Sequence, residues 1–80
     1  MEGSEIEARI VSLLVGQHGC APGSVGPESR LEEDLGLDSL AMLDLFLSLE
    51  EAFSVSIPDE VAARVTSVGE AADAVAGLIG

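Results

Sequence analysis

The sequence predicts an all-α fold: a four-helix bundle with three longer helices, one short one, and a long loop between the first and second helices. Three observations carry this expectation. Apolar residues recur at helical spacing in three separate stretches. Each stretch is headed by a residue suited to capping a helix N-terminus, namely Ser4, Asp38 and Ser67. A run rich in Gly, Pro and Ser separates the first stretch from the second. Such elements pack most simply as a small helical bundle. The 80 residues are read as one domain, 1–80. A chain of this size buries only about 60% of its unfolded surface, leaving little room for both a core and an enclosed active site. An enzyme is therefore not expected.

Residues 4–15 form the first predicted helix. Ser4 followed by Glu7 fits a reciprocal capping box, and Ile6, Ile10, Leu13 and Leu14 fall on one face. Gly16 and Gly19 are expected to end it. Residues 17–36 read as a loop, Pro- and Gly-rich over 21–27, with Val25, Leu31 and Leu35 pinning it across the helices. The second helix covers 39–53 with Asp38 as its cap. Met42, Leu45, Phe46, Leu49 and Phe53 cluster on one side, and Leu40, Leu43 and Leu47 almost opposite, flanked by Asp44, Glu50 and Glu51. A helix apolar on two faces is either sandwiched or exposes a patch. A chain this small has little to supply a second layer, so an exposed, acid-ringed leucine patch is expected. The other arrangement lays the loop 17–36 over these leucines. After an extended stretch at 54–57, a short helix is expected over 59–65 with Val61 and Val65 inward. Ser67 and Glu70 form a second capping box. It opens a last helix to about residue 79, with Val68, Ala71, Ala72, Val75 and Ile79 inward and Gly77 as a weak point.

Charge narrows the function classes. Three arginines and no lysine face fifteen acids, for a net charge of −12. Such a surface repels nucleic acid and anionic membranes and favours partners with basic patches. A single cysteine excludes an intramolecular disulfide and a multi-cysteine metal site. No apolar run reaches membrane-spanning length, and the N-terminus lacks a basic leader, so the expected location is cytoplasmic. His18 and Cys20 lie together in sequence, but a reactive thiolate needs an electropositive setting that this chain lacks. Both read as structural or incidental. The acids 34–38 lack the alternating ligand order of a calcium loop.

The stretch Leu35-Gly36-Leu37-Asp38-Ser39-Leu40 places a hydroxyl at the first turn of a helix. Free N–H groups and the helix dipole favour an anionic group at that position. Gly36 permits the sharp turn that presents the hydroxyl outward. Ser39 has neither an adjacent base nor an orienting group in sequence, so a catalytic nucleophile is not indicated. On its own, the stretch also fits a plain helix start.

Four blocks in order change the weight of that stretch: Leu35–Leu40, Leu49-Glu50-Glu51-Ala52-Phe53, Ile57-Pro58-Asp59-Glu60 and Thr66-Ser67-Val68-Gly69-Glu70-Ala71. Together they resemble the acyl carrier proteins over nearly the whole chain. The resemblance implies a four-helix bundle whose Ser39 carries 4′-phosphopantetheine, attached by a phosphopantetheinyl transferase. It implies a non-catalytic, monomeric carrier of acyl thioesters, with no nucleic acid or membrane partner. Its partners would be ketosynthase, acyltransferase or acyl-ligase type enzymes with basic patches. Asp38, Leu40, Leu43, Asp44, Leu47, Glu50 and Glu51 stand where the family docks its partners. Ala41 and Ala52 replace acids of many fatty-acid carriers, and the loop 21–27 is richer in Pro and Gly. These departures tilt the expected pathway from primary fatty acid synthesis toward polyketide or other secondary metabolism. Peptidyl carriers are the near alternative, although they usually carry a Gly-Gly-His-Ser type turn in place of Leu37-Asp38-Ser39. An adaptor that binds one basic partner and never bears a prosthetic group is the alternative from another class.

Overall fold

A computed structural model describes residues 3–79. Met1, Glu2 and Gly80 of the predicted domain lie outside them. Four α-helices follow in order: α1 (Gly3–His18), α2 (Ser39–Phe53), the short α3 (Asp59–Ala62) and α4 (Val68–Ile79). The all-α bundle expected from the sequence is the fold observed. There is no strand among the described residues, only an isolated antiparallel bridge between Arg30 and Ser67.

α4 packs chiefly along α1, and α2 contacts both. The core is built from Ile6, Ile10 and Leu14 of α1, Leu45, Leu49 and Phe53 of α2, and Val68, Ala71, Ala72 and Val75 of α4. Leu31, Leu37 and Val65 from the connections complete it. Fully burying one such aliphatic side chain contributes about 1.5–3 kcal/mol. Every buried residue among those described is apolar. The carboxylates of the described residues therefore stay at least partly open to solvent, where they avoid the full cost of desolvation.

Several boundaries differ from the sequence reading. α1 begins by Gly3, so Ser4 lies inside its first turn instead of capping it. It also runs through Gly16 to His18. A glycine with an open surround weakens a helix by only about 1 kcal/mol, and the packed face of Ile10 and Leu14 carries the helix past it. The stop comes at Gly19, whose φ of +68° takes the left-handed conformation that closes helices. Leu13, Met42 and Phe46 are half-buried at the edge of the core. Ile79, expected inward, is 40% exposed because it ends α4 beyond the packed stretch. α3 is shorter than expected and gives way to turns before Val65.

The connection over 19–38 is ordered by its own hydrogen bonds. A 3₁₀ turn occupies Pro22–Ser24. Beyond it, Gly69 N–H donates to Pro27 O at 2.9 Å, Val68 N–H to Ser29 O at 3.1 Å and Leu31 N–H to Thr66 O at 2.9 Å. These bonds fasten the loop to the start of α4. Leu31 is fully buried, whereas Val25 and Leu35 are half-buried.

Candidate functional site

The site begins with a tight turn. Asp34 and Leu35 N–H donate to Arg30 O, Gly36 N–H to Glu32 O, and Leu37 N–H to Leu31 O. Arg30 N–H donates to Asp34 Oδ2 at 2.8 Å. Gly36 has a φ of +70°, a conformation that costs a residue with a Cβ about 1–2 kcal/mol. The turn drops Leu37 into the core, where it is 6% exposed. With Leu37 as the anchor, the next residues emerge at the surface.

Asp38 caps α2. Its backbone is extended, with φ −84° and ψ −177°, and Oδ1 accepts from Ala41 N–H at 2.8 Å. A cap of this kind stabilises a helix by about 1 kcal/mol. Ser39 is the first helical residue, and it is exposed. Its Oγ makes no hydrogen bond among the described residues, and neither the Ser39 nor the Leu40 amide has an acceptor there. A reachable hydroxyl beside free amides at the positive end of a helix dipole accommodates a phosphodiester. The single histidine does not serve that hydroxyl: His18 points instead to Asp44 on α2, 3.6 Å away.

The surroundings have two characters. On one side Ser39 borders a depression of about 340 Å³ with Met42, Phe46, Ala62 and Val65 in its walls. It continues past Glu32, Met42 and Thr66 into a hollow of about 140 Å³ that also includes Arg30. On the other side, Leu40, Leu43 and Leu47 stand 77%, 57% and 54% exposed. The loop 17–36 does not cover them. Asp44 and Glu51 are exposed beside these leucines. Glu50 differs from its neighbours: it is half-buried, and its Oε2 accepts from Ile57 N–H at 2.7 Å. That carboxylate holds the 55–57 segment against α2.

A family model described as the phosphopantetheine attachment site matches residues 8–75. The chain belongs to this family. It is a phosphopantetheine-carrying carrier protein of the acyl or peptidyl kind, and carrier domains of this family bear 4′-phosphopantetheine covalently. The geometry suits that group, since a serine hydroxyl and unpaired amides share one exposed helix tip. When bound, the prosthetic group supplies a terminal thiol for thioester chemistry. Such carriers are typically non-catalytic and interact with phosphopantetheinyl transferases and with biosynthetic enzymes. No helix among the described residues of the carrier is long and apolar enough to cross a membrane.

Two features of the carrier escape a reading of the sequence. Leu37 is legible as apolar but not as the anchor of the turn, because its burial depends on the Leu31 carbonyl across the loop. The approach of His18 to Asp44 joins positions far apart in the chain. Only the extension of α1 beyond Gly16 brings it about.

Proposed function

We propose that Ser39 is the attachment point and that the 80 residues act as one cytoplasmic acyl carrier domain. The observation that carries this reading is the exposed, unbonded Ser39 hydroxyl at the first position of α2, within a chain that the family model matches. Asp38 holds the helix start in place, and Leu37 fixes the turn from below. A transferase brings its own base and metal. The oxygen of Ser39 then forms a phosphodiester with the phosphopantetheine phosphate of coenzyme A; its proton passes to the transferase's base, the pyrophosphate bond breaks, and adenosine 3′,5′-bisphosphate leaves.

The exposed face of α2 is the docking surface in this reading. Leu40, Leu43 and Leu47 supply apolar contact, and Asp38, Asp44 and Glu51 supply charge for basic partners. Glu50 contributes to the same field from its place against Ile57. The partners are ketosynthase, acyltransferase or acyl-ligase type enzymes, each engaged in turn by a monomeric carrier. The alanines at 41 and 52 thin the acidic face relative to many fatty-acid carriers. Together with the Pro- and Gly-rich loop they support a polyketide or other secondary-metabolite pathway.

Incubation with coenzyme A, magnesium and a broad-specificity transferase is expected to add the mass of one phosphopantetheine to the intact protein. Ser39→Ala is expected to abolish the gain while leaving the circular dichroism spectrum unchanged. An unmodified but folded wild-type chain, or a modified Ser39→Ala chain, would overturn the assignment.

A further inference from the structure

The carrier's single histidine has no part in the reading above, yet it occupies an unusual position. His18 ends α1, and its side chain is only 8% exposed. Its Nε2 is buried and has no hydrogen-bond partner. Native structures pair nearly all such atoms, so an unpaired one calls for a physical account. The nearest carboxylate oxygen is Oδ2 of Asp44, 3.6 Å away on α2 and just beyond hydrogen-bond reach. The Asp44 side chain is 65% exposed. It is therefore free either to close on the ring or to turn to water.

We propose that His18 and Asp44 form a proton-operated clasp between α1 and α2, which sets the charge presented by the exposed leucine face. The closing step takes up one proton from solvent and breaks no bond. Both ring nitrogens then carry hydrogen. Nε2 becomes a donor, and Asp44 Oδ2 accepts a charge-assisted hydrogen bond from it. The new cation lies in the last turn of α1, where the negative end of the helix dipole favours it. Loss of the proton releases Asp44 to solvent and restores its full charge to the face that contains Leu40, Leu43 and Leu47.

The other groups around this contact do not take over its role. Gln17 Oε1 accepts from Ser48 Oγ at 2.8 Å, a neutral bond between the same two helices that does not titrate near neutral pH. Glu51, one turn along α2, borders the crevice containing Gln17 and Ser48. The Cys20 thiol follows two residues after His18. On α4, which also packs on α1, Glu70 is engaged by Thr66 and Ser67, and Asp73 is exposed. Among the described residues, Asp44 is the only carboxylate within 4.0 Å of His18.

The clasp stands independently of the docking surface, whereas its effect on partners rests on the proposed role of α2. The experiment separates the two. The Cε1–Hε1 signal of His18 is followed by NMR across the pH range in the full chain, in Asp44→Asn and in the conservative Asp44→Glu. The midpoint is expected to be lower in Asp44→Asn than in the full chain, because the ring loses the one carboxylate that faces it. Asp44→Glu is expected to keep a midpoint close to that of the full chain. Equal midpoints in all three proteins would overturn the clasp. In parallel, the association rate with a phosphopantetheinyl transferase is measured below and above the His18 midpoint. The ratio of wild type to Asp44→Asn is expected to be nearer one on the acidic side. A shifted midpoint with a pH-independent ratio would overturn the link to docking alone.

Discussion

Gly69 shows how one contact reverses an ordinary rule. A glycine inside a helix normally weakens it by about 1 kcal/mol relative to alanine. Gly69 lies in the first turn of α4, and its amide donates to Pro27 O at 2.9 Å. A Cβ built there would stand 2.9 Å from that same carbonyl oxygen. The obstacle is backbone, so either the loop or the helix must shift, at a typical overpacking cost of about 1–3 kcal/mol. Gly69→Ala is therefore expected to lower unfolding free energy by about 1 kcal/mol, within a span of about 0–2, once the propensity gain is subtracted. Gly77→Ala in the same helix is the control, because nothing lies within 4 Å of its Cβ position. It is expected to raise stability by about 0.5–1 kcal/mol. Urea titration of the two variants checks the opposite signs, and equal signs would remove the close approach as the cause. The sequence alone gives no warning of this difference. Both glycines sit in similar apolar, alanine-rich surroundings, and only the loop's path over α4 tells them apart.

At the level of the element, local chemistry was largely legible and long-range chemistry was not. The Ser67–Glu70 box is present much as its spacing suggests: Glu70 N–H donates to Ser67 Oγ at 3.2 Å. The return bond has slipped by one residue, since Glu70 Oε1 accepts from Thr66 N–H at 3.0 Å and from the Thr66 hydroxyl. The Asp38 cap was legible for the same reason, namely that donor and acceptor are neighbours in the chain. The Ser4–Glu7 signature was just as good on paper, yet α1 begins before it. A cap motif marks where a helix is able to start, not where it does start. The Ser67–Glu70 box also carries a pH dependence. Hydrogen bonds from Thr66, then from Ser67, hold the Glu70 carboxyl below its ordinary value. A carboxyl depressed in the folded state adds stability above its unfolded value, and that stability is lost as the pH falls through the folded value. The stability difference between wild type and Glu70→Gln is expected to be full at neutral pH and to shrink below about pH 4.3. Denaturant midpoints measured down to pH 3 test this, and a pH-independent difference would mean that charge plays no part in the box.

For the whole molecule, the dominant fact is a net charge of −12 on a body of about 30 × 24 × 19 Å. The three arginines are dispersed and do little to neutralise it. Arg9 lies over the Phe53 ring, and Arg30 approaches Glu33 at 3.8 Å on the surface. Exposed pairs of that kind contribute about 0–1 kcal/mol. Repulsion among the acids therefore opposes compaction, while the same field speeds encounter with basic partners. Its reach depends on salt. At 10 mM the Debye length is about 30 Å, comparable to the longest dimension of the fold, and at 300 mM it is about 6 Å, so that only adjacent charges still interact. The unfolded chain spreads the same charges farther apart, so screening relieves the folded state more than the unfolded one. A gain of 1 kcal/mol corresponds to about 4–8 °C in melting temperature for a domain of this size. The melting temperature is therefore expected to climb by several degrees between about 10 and 300 mM sodium chloride. Because divalent ions screen more strongly at equal concentration, magnesium is expected to reach the same gain at lower concentration. Calorimetric scans at fixed pH decide the matter: a melting temperature that stays flat or falls across this range would mean that the acids are already balanced within the fold.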